Sequence, residues 1–190
     1  MLLDGTVVIV TGSGGGLGAA IARVCRAEGA SVVVADVRED AARSVARRLG
    51  RRAMAVHCDV TADADLARLV AATVERFGRI DGLVNNAGVN FAKPFLETTP
   101  EDWERVIATD LRAVFFLTQL VAQRMLRQKP RGGSIVNISS VHTSPVLPGS
   151  GPYDAAKWGV VGMGQSIAVE LAAKGIRVNA LSPGLLDTQI

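Results

Sequence analysis

Short apolar runs alternate along the whole chain with longer segments in which apolar residues recur at helical spacing. The short runs predict strands, and the longer segments predict the helices between them. Because the runs are apolar at consecutive positions, their strands must be covered on both faces, as in a parallel sheet between two helix layers. The predicted strands are 6–10, 31–35, 53–58, 83–84, 134–138 and 177–181.

Residues with known preferences for helix ends mark several of the helices. Thr61 is expected to cap a helix that runs to about Phe77 and stops at Gly78. Thr99 and Pro100, followed by two acids, open a long helix that ends before the breaker at 130–133. The alternation of strands and helices predicts an α/β fold. We expect a Rossmann-like, doubly wound parallel sheet in three layers, with six visible strands in the order 3-2-1-4-5-6.

The composition of the 190 residues is 48% apolar and 21% charged, which is typical of a single globular domain, here 1–190. A formal net charge of +3 raises the question of a polyanionic partner. The arginines at 43–52 follow Glu39 and Asp40, however, and form no long stripe. That pattern is typical of a solvated helix end, so we expect no nucleic-acid partner.

The two cysteines, Cys25 and Cys58, have no partner at the spacing of a metal or redox motif. We therefore expect reduced, buried thiols and no metal. The sequence shows no cleavable leader pattern and no apolar run of about 18 residues, which favours a cytoplasmic protein without membrane contact.

A glycine-rich segment at 11–18, TGSGGGLG, follows the first strand and opens the first helix. Glycines let the backbone turn tightly and approach a pyrophosphate, and the helix N-terminus supplies amide donors. Asp36 ends the second strand, where a carboxylate can accept hydrogen bonds from an adenosine ribose diol and repel a phosphate there. This favours NAD(H) over NADP(H) as cofactor, with Arg38 as the residue that can instead swing toward a phosphate.

Polar residues also follow the third and fourth strands. Asp59 can either bind an adenine amino group or cap the next helix, and the residues alone do not separate these roles. The segment 85–88, NNAG, has small residues that let the chain pass close to a cofactor. Its asparagine amides can tie loop backbones together, and an ordinary Asx turn is the alternative.

Tyr153 and Lys157 lie four residues apart on a predicted helix, so their side chains share one face. A phenol is too weak an acid to work as a base near neutral pH, and a nearby ammonium favours its phenolate form. Ser140 ends the fifth strand, where its hydroxyl can hold a substrate oxygen beside Tyr153. Together with the glycine-rich segment, these residues predict a site that interconverts an alcohol and a carbonyl.

In these motifs the sequence resembles the short-chain dehydrogenase/reductase family. TGxxxGxG matches at 11–18, NNAG at 85–88 and YxxxK at 153–157, with Ser140 thirteen residues before Tyr153. RVN at 177–179 and Pro183-Gly184 with Thr188 match the segment after the sixth strand. The matches keep the family's order and cover nearly the whole chain.

The resemblance implies a nicotinamide-dinucleotide-dependent oxidoreductase in which Tyr153 is the acid/base. Ser140 would hold the substrate oxygen, and Lys157 would bind the nicotinamide ribose and tune Tyr153. A homotetramer or homodimer, built partly from the two longest helices, is also implied. The residues expected at the cofactor are Gly12, Ser13, Gly16, Leu17, Gly18, Asp36, Asp59, Val60, Asn86, Ala87, Gly88, Tyr153, Lys157, Pro183, Gly184 and Thr188.

Two features depart from the family. Asp110 stands where the family usually has an asparagine that shapes a helix bend and helps hold a water leading to the lysine. We include Asp110 among the catalytic candidates for that reason. The family usually continues past the position of Ile190 with a substrate-covering loop, a helix and a seventh strand, so we expect the true polypeptide to be longer.

The preferred interpretation is an NAD-linked dehydrogenase of a small secondary alcohol, polyol or sugar. An alternative enzyme is a 3-oxoacyl-[acyl-carrier-protein] reductase, an activity that usually prefers NADPH. A different class is a catalytically silent dinucleotide sensor or scaffold, against which the intact Ser140, Tyr153 and Lys157 argue. His142 is expected to be a solvated loop residue rather than a substrate ligand.

Overall fold

The computed structural model describes residues 1–143 and 146–184, and six strands and six α-helices lie within them. The strands are β1 (Val7–Thr11), β2 (Ser31–Asp36), β3 (Ala53–His57), β4 (Gly82–Asn85), β5 (Gly133–Ile138) and β6 (Ile176–Leu181). The helices are α1 (Gly16–Ala27), α2 (Glu39–Leu49), α3 (Asp63–Phe77), α4 (Pro100–Ile107), α5 (Ala113–Arg127) and α6 (Gly151–Ala172). Every strand pair is parallel and the order is β3-β2-β1-β4-β5-β6, which confirms the predicted fold and strand order.

Both faces of the central strands are buried, which explains the consecutive apolar positions in them. In β1, Ile9 packs into one apolar cluster, whereas Val8 and Val10 pack into another. Successive side chains of a strand point to opposite faces, so the two clusters lie on opposite sides of the sheet. Side chains of α3 and α5 contribute to the first cluster, and those of α1 and α2 contribute to the second.

Helix ends follow the predicted signals at two positions and depart from them at a third. Thr99 caps α4, because its hydroxyl accepts the amide of Asp102 at 3.2 Å and the Asp102 carboxylate accepts the amide of Thr99 at 3.1 Å. Gly78 ends α3 in the left-handed conformation, with φ 80°. The prediction that Thr61 caps α3 was wrong. The helix begins two residues later, and the Thr61 hydroxyl instead donates to Asp59 at 2.7 Å, which holds it in the preceding turn.

The long helix predicted after Pro100 is interrupted in its middle. A π-helical turn, Ala108–Arg112, joins α4 to α5 and contains the fully buried Asp110. Such a turn holds one residue more than an α-helical turn, so it changes the direction of the side chains at its centre. The apolar periodicity of the sequence does not reveal a single extra residue, and only the family resemblance, which implies a helix bend at position 110, pointed to an irregularity here.

The combined helical segment Pro100–Arg127 has 28 residues and is long and apolar enough to cross a membrane by length and composition alone. In this fold, 44% of the most apolar 18 residues of this segment are buried, and α5 packs against α3, β4 and β5. The core helix of a soluble protein can have the same length and apolar composition, so this helical segment does not assign a membrane location.

Candidate active site

A cavity of about 760 Å³ opens at the carboxyl ends of the strands, between the loops that follow β1 and β4. These strands are neighbours in the sheet but not in the chain. The strand order therefore reverses between β1 and β4. In a doubly wound sheet, this reversal leaves a crevice between the loops that follow the two strands, and ligands bind there. The cavity is therefore the candidate ligand site of the fold.

Two glycines in the loop after β1, Gly12 and Gly14, lie too close to neighbouring atoms to carry side chains. A Cβ on Gly12 would lie 2.8 Å from the Ala87 Cα, and the φ of 61° at Gly12 also favours glycine. A Cβ on Gly14 would lie 2.8 Å from the carboxylate of Asp36. The N-cap of α1, Gly15, makes no side-chain cap, so the amides of the first helical turn stay available to an anion in the cavity.

Asn86 ties the loop after β4 to the loop after β1. Its Nδ2 donates to the carbonyl oxygens of Thr11 at 2.9 Å and Gly12 at 3.1 Å. The Thr11 hydroxyl accepts the backbone amides of Asn86 at 3.0 Å and Ala87 at 3.1 Å. The segment is therefore a fixed wall of the cavity, and its amide ties two loops together as the sequence analysis proposed.

Asp36 closes the glycine-rich loop from the end of β2. Its Oδ2 accepts the amide of Gly14 at 2.8 Å, and its Oδ1 accepts the amide of Arg38 at 2.9 Å. The Arg38 Nε also lies 3.3 Å from Oδ1, although the arginine side chain is 66% exposed. The carboxylate is therefore a fixed part of the cavity lining, and it holds the adjacent guanidinium beside itself.

Asp59 and Cys58 occupy the end of β3. The Asp59 Oδ1 accepts the amide and the hydroxyl of Thr61 at 2.9 and 2.7 Å, so Asp59 organises the turn before α3. Asp59 and Val60 also line the cavity, so the adenine-binding role stays compatible with the geometry, whereas the capping role was wrong because the N-cap of α3 is Ala62, which makes no side-chain cap. Burial raises the pKa of the Cys58 thiol to about 12, which makes this thiol unreactive.

Tyr153 and Lys157 lie on the same face of α6, near its N-terminus. The Lys157 Nζ lies 5.4 Å from the centre of the Tyr153 ring and donates to the carbonyl of Ile138 at 3.2 Å. Ser140 follows β5 and is buried, and its hydroxyl accepts the amide of His142 at 3.2 Å. Ser140, Tyr153 and Lys157 therefore line one cavity from two elements, as their spacing in the sequence predicts.

Asp110 connects the π-helical turn to both the lysine and the loop after β4. Its Oδ1 accepts the amide of Val89 at 2.8 Å, and its Oδ2 lies 3.0 Å from the Lys157 Nζ. The contact between Oδ2 and the Lys157 ammonium is a buried ion pair. Burial raises the pKa of Asp110 above its ordinary value, and the Lys157 ammonium opposes that rise.

The cavity brings together nearly all the residues predicted for the site. Ser13 is an exception, because it is fully buried and its hydroxyl donates to the carbonyl of Val10 at 2.6 Å. Thr188 lies outside the described residues. The predicted residues that line the cavity are Gly12, Gly16, Leu17, Gly18, Asp36, Asp59, Val60, Asn86, Ala87, Gly88, Asp110, Ser140, Tyr153, Lys157, Pro183 and Gly184.

His142 contradicts the expectation of a solvated loop residue. Its side chain is only 18% exposed, and its Nδ1 lies 3.1 Å from the Asp154 Oδ1. The ring also packs edge-on against Tyr153, with ring centres 5.4 Å apart. That expectation was wrong because the loop folds back over α6, which a separation of twelve residues does not reveal.

Other residues line the cavity without having been assigned to it from the sequence. Most of them lie close to the end of a strand, and that position is the signal by which they can be found in a parallel sheet. Ser139, for example, donates from its hydroxyl to the carbonyl of Lys157 at 3.0 Å and so joins the end of β5 to α6. The set includes Gly15, Val37, Cys58, Thr61, Val89, Thr109, Ile138, Ser139 and Val141.

Comparison with known proteins places this geometry in a family. The family model described as short chain dehydrogenase matches residues 6–190. A meso-2,3-butanediol dehydrogenase of Serratia marcescens is 39% identical, and the match covers 100% of this chain and 75% of the relative. A sorbitol dehydrogenase of Cereibacter sphaeroides is also 39% identical, over 98% of this chain and 73% of the relative.

Acyl-carrier-protein reductases match at a similar level. A 3-oxoacyl-[acyl-carrier-protein] reductase of Thermotoga maritima is 38% identical, over 99% of this chain and 77% of the relative. The crystal structure of a 3-ketoacyl-(acyl-carrier-protein) reductase from Brucella melitensis, complexed with NADH, has a TM-score of 0.95 at 33% identity. That match covers 98% of this chain and 78% of the other.

The chain therefore belongs to the short-chain dehydrogenase family. It is an oxidoreductase that acts on alcohol or carbonyl groups.

Proposed function

We propose that the protein is an NAD-linked dehydrogenase of secondary alcohols, with polyols or sugars as its substrates. The proposal rests on one observation: a single cavity is lined by two sets of groups. The first set is the glycine-rich loop with Asp36, and the second is Ser140, Tyr153 and Lys157. A dinucleotide needs the first set of groups, and alcohol oxidation needs the second. Relatives named for butanediol and sorbitol support this substrate class.

The cavity walls fit a dinucleotide. Its pyrophosphate would meet the uncapped amides at the start of α1, where Gly15 and Gly16 leave the backbone accessible. Its adenosine end would lie near Asp36 and Asp59, and its second ribose near Lys157. When bound, the nicotinamide ring of this cofactor supplies the acceptor or donor of the hydride.

Proton transfer belongs to the chain's own residues. Tyr153, as phenolate, takes the proton of the substrate hydroxyl, and Ser140 holds that oxygen with its own hydroxyl. The ammonium of Lys157, 5.4 Å from the Tyr153 ring centre, stabilises the negative charge on the phenolate. In the reverse direction Tyr153 returns the proton to the carbonyl oxygen.

The preference for NAD over NADP rests on Asp36. Its carboxylate is held by the loop amides and would lie beside a phosphate on the adenosine ribose, where like charges repel. Fluorescence titration should therefore give tighter binding of NADH than of NADPH, and Asp36→Ala should narrow that difference. Tighter binding of NADPH by the unchanged protein would overturn the assignment.

A second candidate activity is 3-oxoacyl-[acyl-carrier-protein] reduction. The match to the Brucella melitensis structure, with a TM-score of 0.95, favours it. The same Ser140, Tyr153 and Lys157 would serve that reaction, so the two activities differ in the substrate and not in the proton transfer.

A substrate panel separates these activities. We expect NAD⁺ reduction with butanediol or sorbitol to have a higher kcat/KM than reduction of a 3-oxoacyl thioester with either reduced cofactor. The opposite order would replace the proposed function with the second candidate. Cofactor binding without turnover of any member of the panel would contradict both.

A further inference from the structure

A group of polar side chains lies beside Tyr153 that proton transfer by Tyr153 does not use. His142 stands in a 3-10 turn, Val141–Thr143, and its Nδ1 lies 3.1 Å from the Asp154 Oδ1. Ser150 holds the other carboxylate oxygen, with its Oγ 2.6 Å from the Asp154 Oδ2. The histidine and aspartate side chains are only 18% and 15% exposed, so the cluster belongs to the packed structure and is not a chance contact at the surface.

The cluster fixes which nitrogen of His142 remains for a ligand. A carboxylate beside Nδ1 favours the tautomer that carries hydrogen on Nδ1. Nε2 is then a hydrogen-bond acceptor, and the hydrogen bond of the His142 ring within the described residues is made by Nδ1. His142 lines the same cavity as Tyr153 and Ser140. Nε2 is therefore the ring nitrogen through which His142 can bind a substrate.

We propose that His142, held by Asp154, is a substrate-positioning residue that binds a second, uncharged oxygen next to the reacting carbinol. The inference rests on the proposed function, because the reaction at Tyr153 defines which carbon is oxidised. The rings of His142 and Tyr153 meet edge to face at 5.4 Å and both residues line one cavity, so a substrate held at Tyr153 has the His142 ring within reach of its neighbouring carbon. Vicinal diols and their hydroxyketone products, in polyols and sugars, have oxygens placed in this way.

The charges around the cluster favour an uncharged oxygen over a carboxylate. Asp154 adds a negative charge beside the His142 ring, which opposes a second anion. The nearby ammonium of Lys157 already faces Asp110 at 3.0 Å, and that of Lys93 faces Asp102 at 2.7 Å. Neither lysine is left unpaired to neutralise a substrate carboxylate.

The test compares two alcohols with one carbon skeleton: butanediol with neighbouring hydroxyls, and sec-butanol, which lacks the second oxygen. The readout is the ratio of their kcat/KM values with NAD⁺. In His142→Phe the ring and its contact with Tyr153 remain but the nitrogen is lost, and the ratio should fall about tenfold, mainly through KM of the diol. His142→Gln places an amide near the position of Nε2 and should recover part of the ratio.

A matched control separates this role from the shape of the turn. Thr143 stands in the same turn and donates to the carbonyl of Ser140 at 2.9 Å, but it does not line the cavity. Thr143→Val should keep the ratio of the unchanged protein. An equal loss in Thr143→Val would assign the effect to the backbone and overturn the proposal.

Asp154 acts only through His142 in this proposal, and a double-mutant cycle tests that dependence. Asp154→Ala should lower the ratio of the kcat/KM values for butanediol and sec-butanol. The double variant with Asp154→Ala and His142→Phe should have a ratio no lower than that of His142→Phe alone. Additive losses would contradict the pairing. Thermal unfolding of each variant identifies any that fails to fold, and His142→Gln then carries the test.

Failure of this inference differs visibly from failure of the proposed function. If the unchanged protein oxidises neither alcohol with NAD⁺, the proposed function fails and the inference fails with it. If it oxidises both with similar kcat/KM, or if His142→Phe leaves the ratio unchanged, only the inference fails. A hydroxy acid that is preferred to the diol and depends on His142 would overturn the choice of an uncharged oxygen.

Discussion

Asp110 and Lys157 place a buried carboxylate 3.0 Å from a buried ammonium, next to the residue proposed for proton transfer. An asparagine with the same outline could keep the contact to the Val89 amide but would add no charge. Asp110 therefore offsets part of the positive charge that Lys157 presents to Tyr153.

The pH profile of alcohol oxidation should report that charge. In Asp110→Asn the Lys157 ammonium loses its counter-ion, so the acid limb of the kcat/KM profile should move to lower pH. Asp63→Asn is the control, because Asp63 is 68% exposed and pairs with Arg112 at 2.9 Å. An unchanged profile in Asp110→Asn would show that Asp110 does not tune the proton transfer.

The same residue makes a prediction for stability. Burial holds the pKa of Asp110 above its ordinary value, so the unfolded chain ionises this group at a lower pH than the folded chain does. Its contribution to the free energy of unfolding is therefore greatest below the ordinary pKa and is lost as pH rises through the folded value. The wild-type free energy of unfolding should fall relative to that of Asp110→Asn over this acidic range. Denaturant titrations at several pH values measure the difference, and an opposite slope would contradict the sign of the shift.

At the scale of elements, the central strands were predictable because they are buried on both faces, and β1, for example, is buried at all of its positions. Helix ends were predictable where one local signal acts without competition, as at Thr99 and Gly78. Thr61 failed because the neighbouring Asp59 competes for its hydroxyl. The π-helical turn around Asp110 and the position of His142 depend on contacts between distant segments, which local periodicity does not encode.

The stabilisation of α4 by its cap residue Thr99 can be tested directly. Thr99→Ala removes the acceptor for the Asp102 amide and should lower the free energy of unfolding by about 1 kcal/mol. Thr98→Ala is the matched control, since its hydroxyl donates to the carbonyl of Pro94 at 3.2 Å outside the helix. The control should cost less, within about 0.5 kcal/mol. Equal losses in chemical denaturation would mean that the cap does not stabilise the helix.

For the whole molecule, the sequence predicted the fold and most cavity residues because the carboxyl ends of parallel strands meet at one edge. Asp36, Asp59, Asn86 and Ser140 each lie at or directly after a strand end, so topology alone brings them together. Ser13 follows a strand too, but its hydroxyl turns inward to the carbonyl of Val10. The direction of one side chain within a tight turn is not encoded in such a pattern. The homotetramer or homodimer, the cytoplasmic location and the absence of metal, membrane and nucleic-acid partners stay predictions.

Thiol labelling tests whether the whole molecule buries its interior as described. Burial raises the pKa of Cys58 to about 12 and raises that of the half-buried Cys25 as well. In the native protein at mildly alkaline pH, Cys58 should resist a disulfide reagent, whereas both thiols should react after denaturation. Cys25→Ser and Cys58→Ser variants assign the signals. Labelling of native Cys58 as fast as a free thiol would contradict the described packing.

The central claim is that the Tyr153 hydroxyl carries the proton in alcohol oxidation. The most direct measurement is the rate of NAD⁺ reduction by a secondary alcohol in Tyr153→Phe, alongside NADH binding by the same variant. We expect kcat to fall by about a hundredfold or more while NADH binding is retained. A variant that turns over within a few-fold of the unchanged protein would contradict this claim.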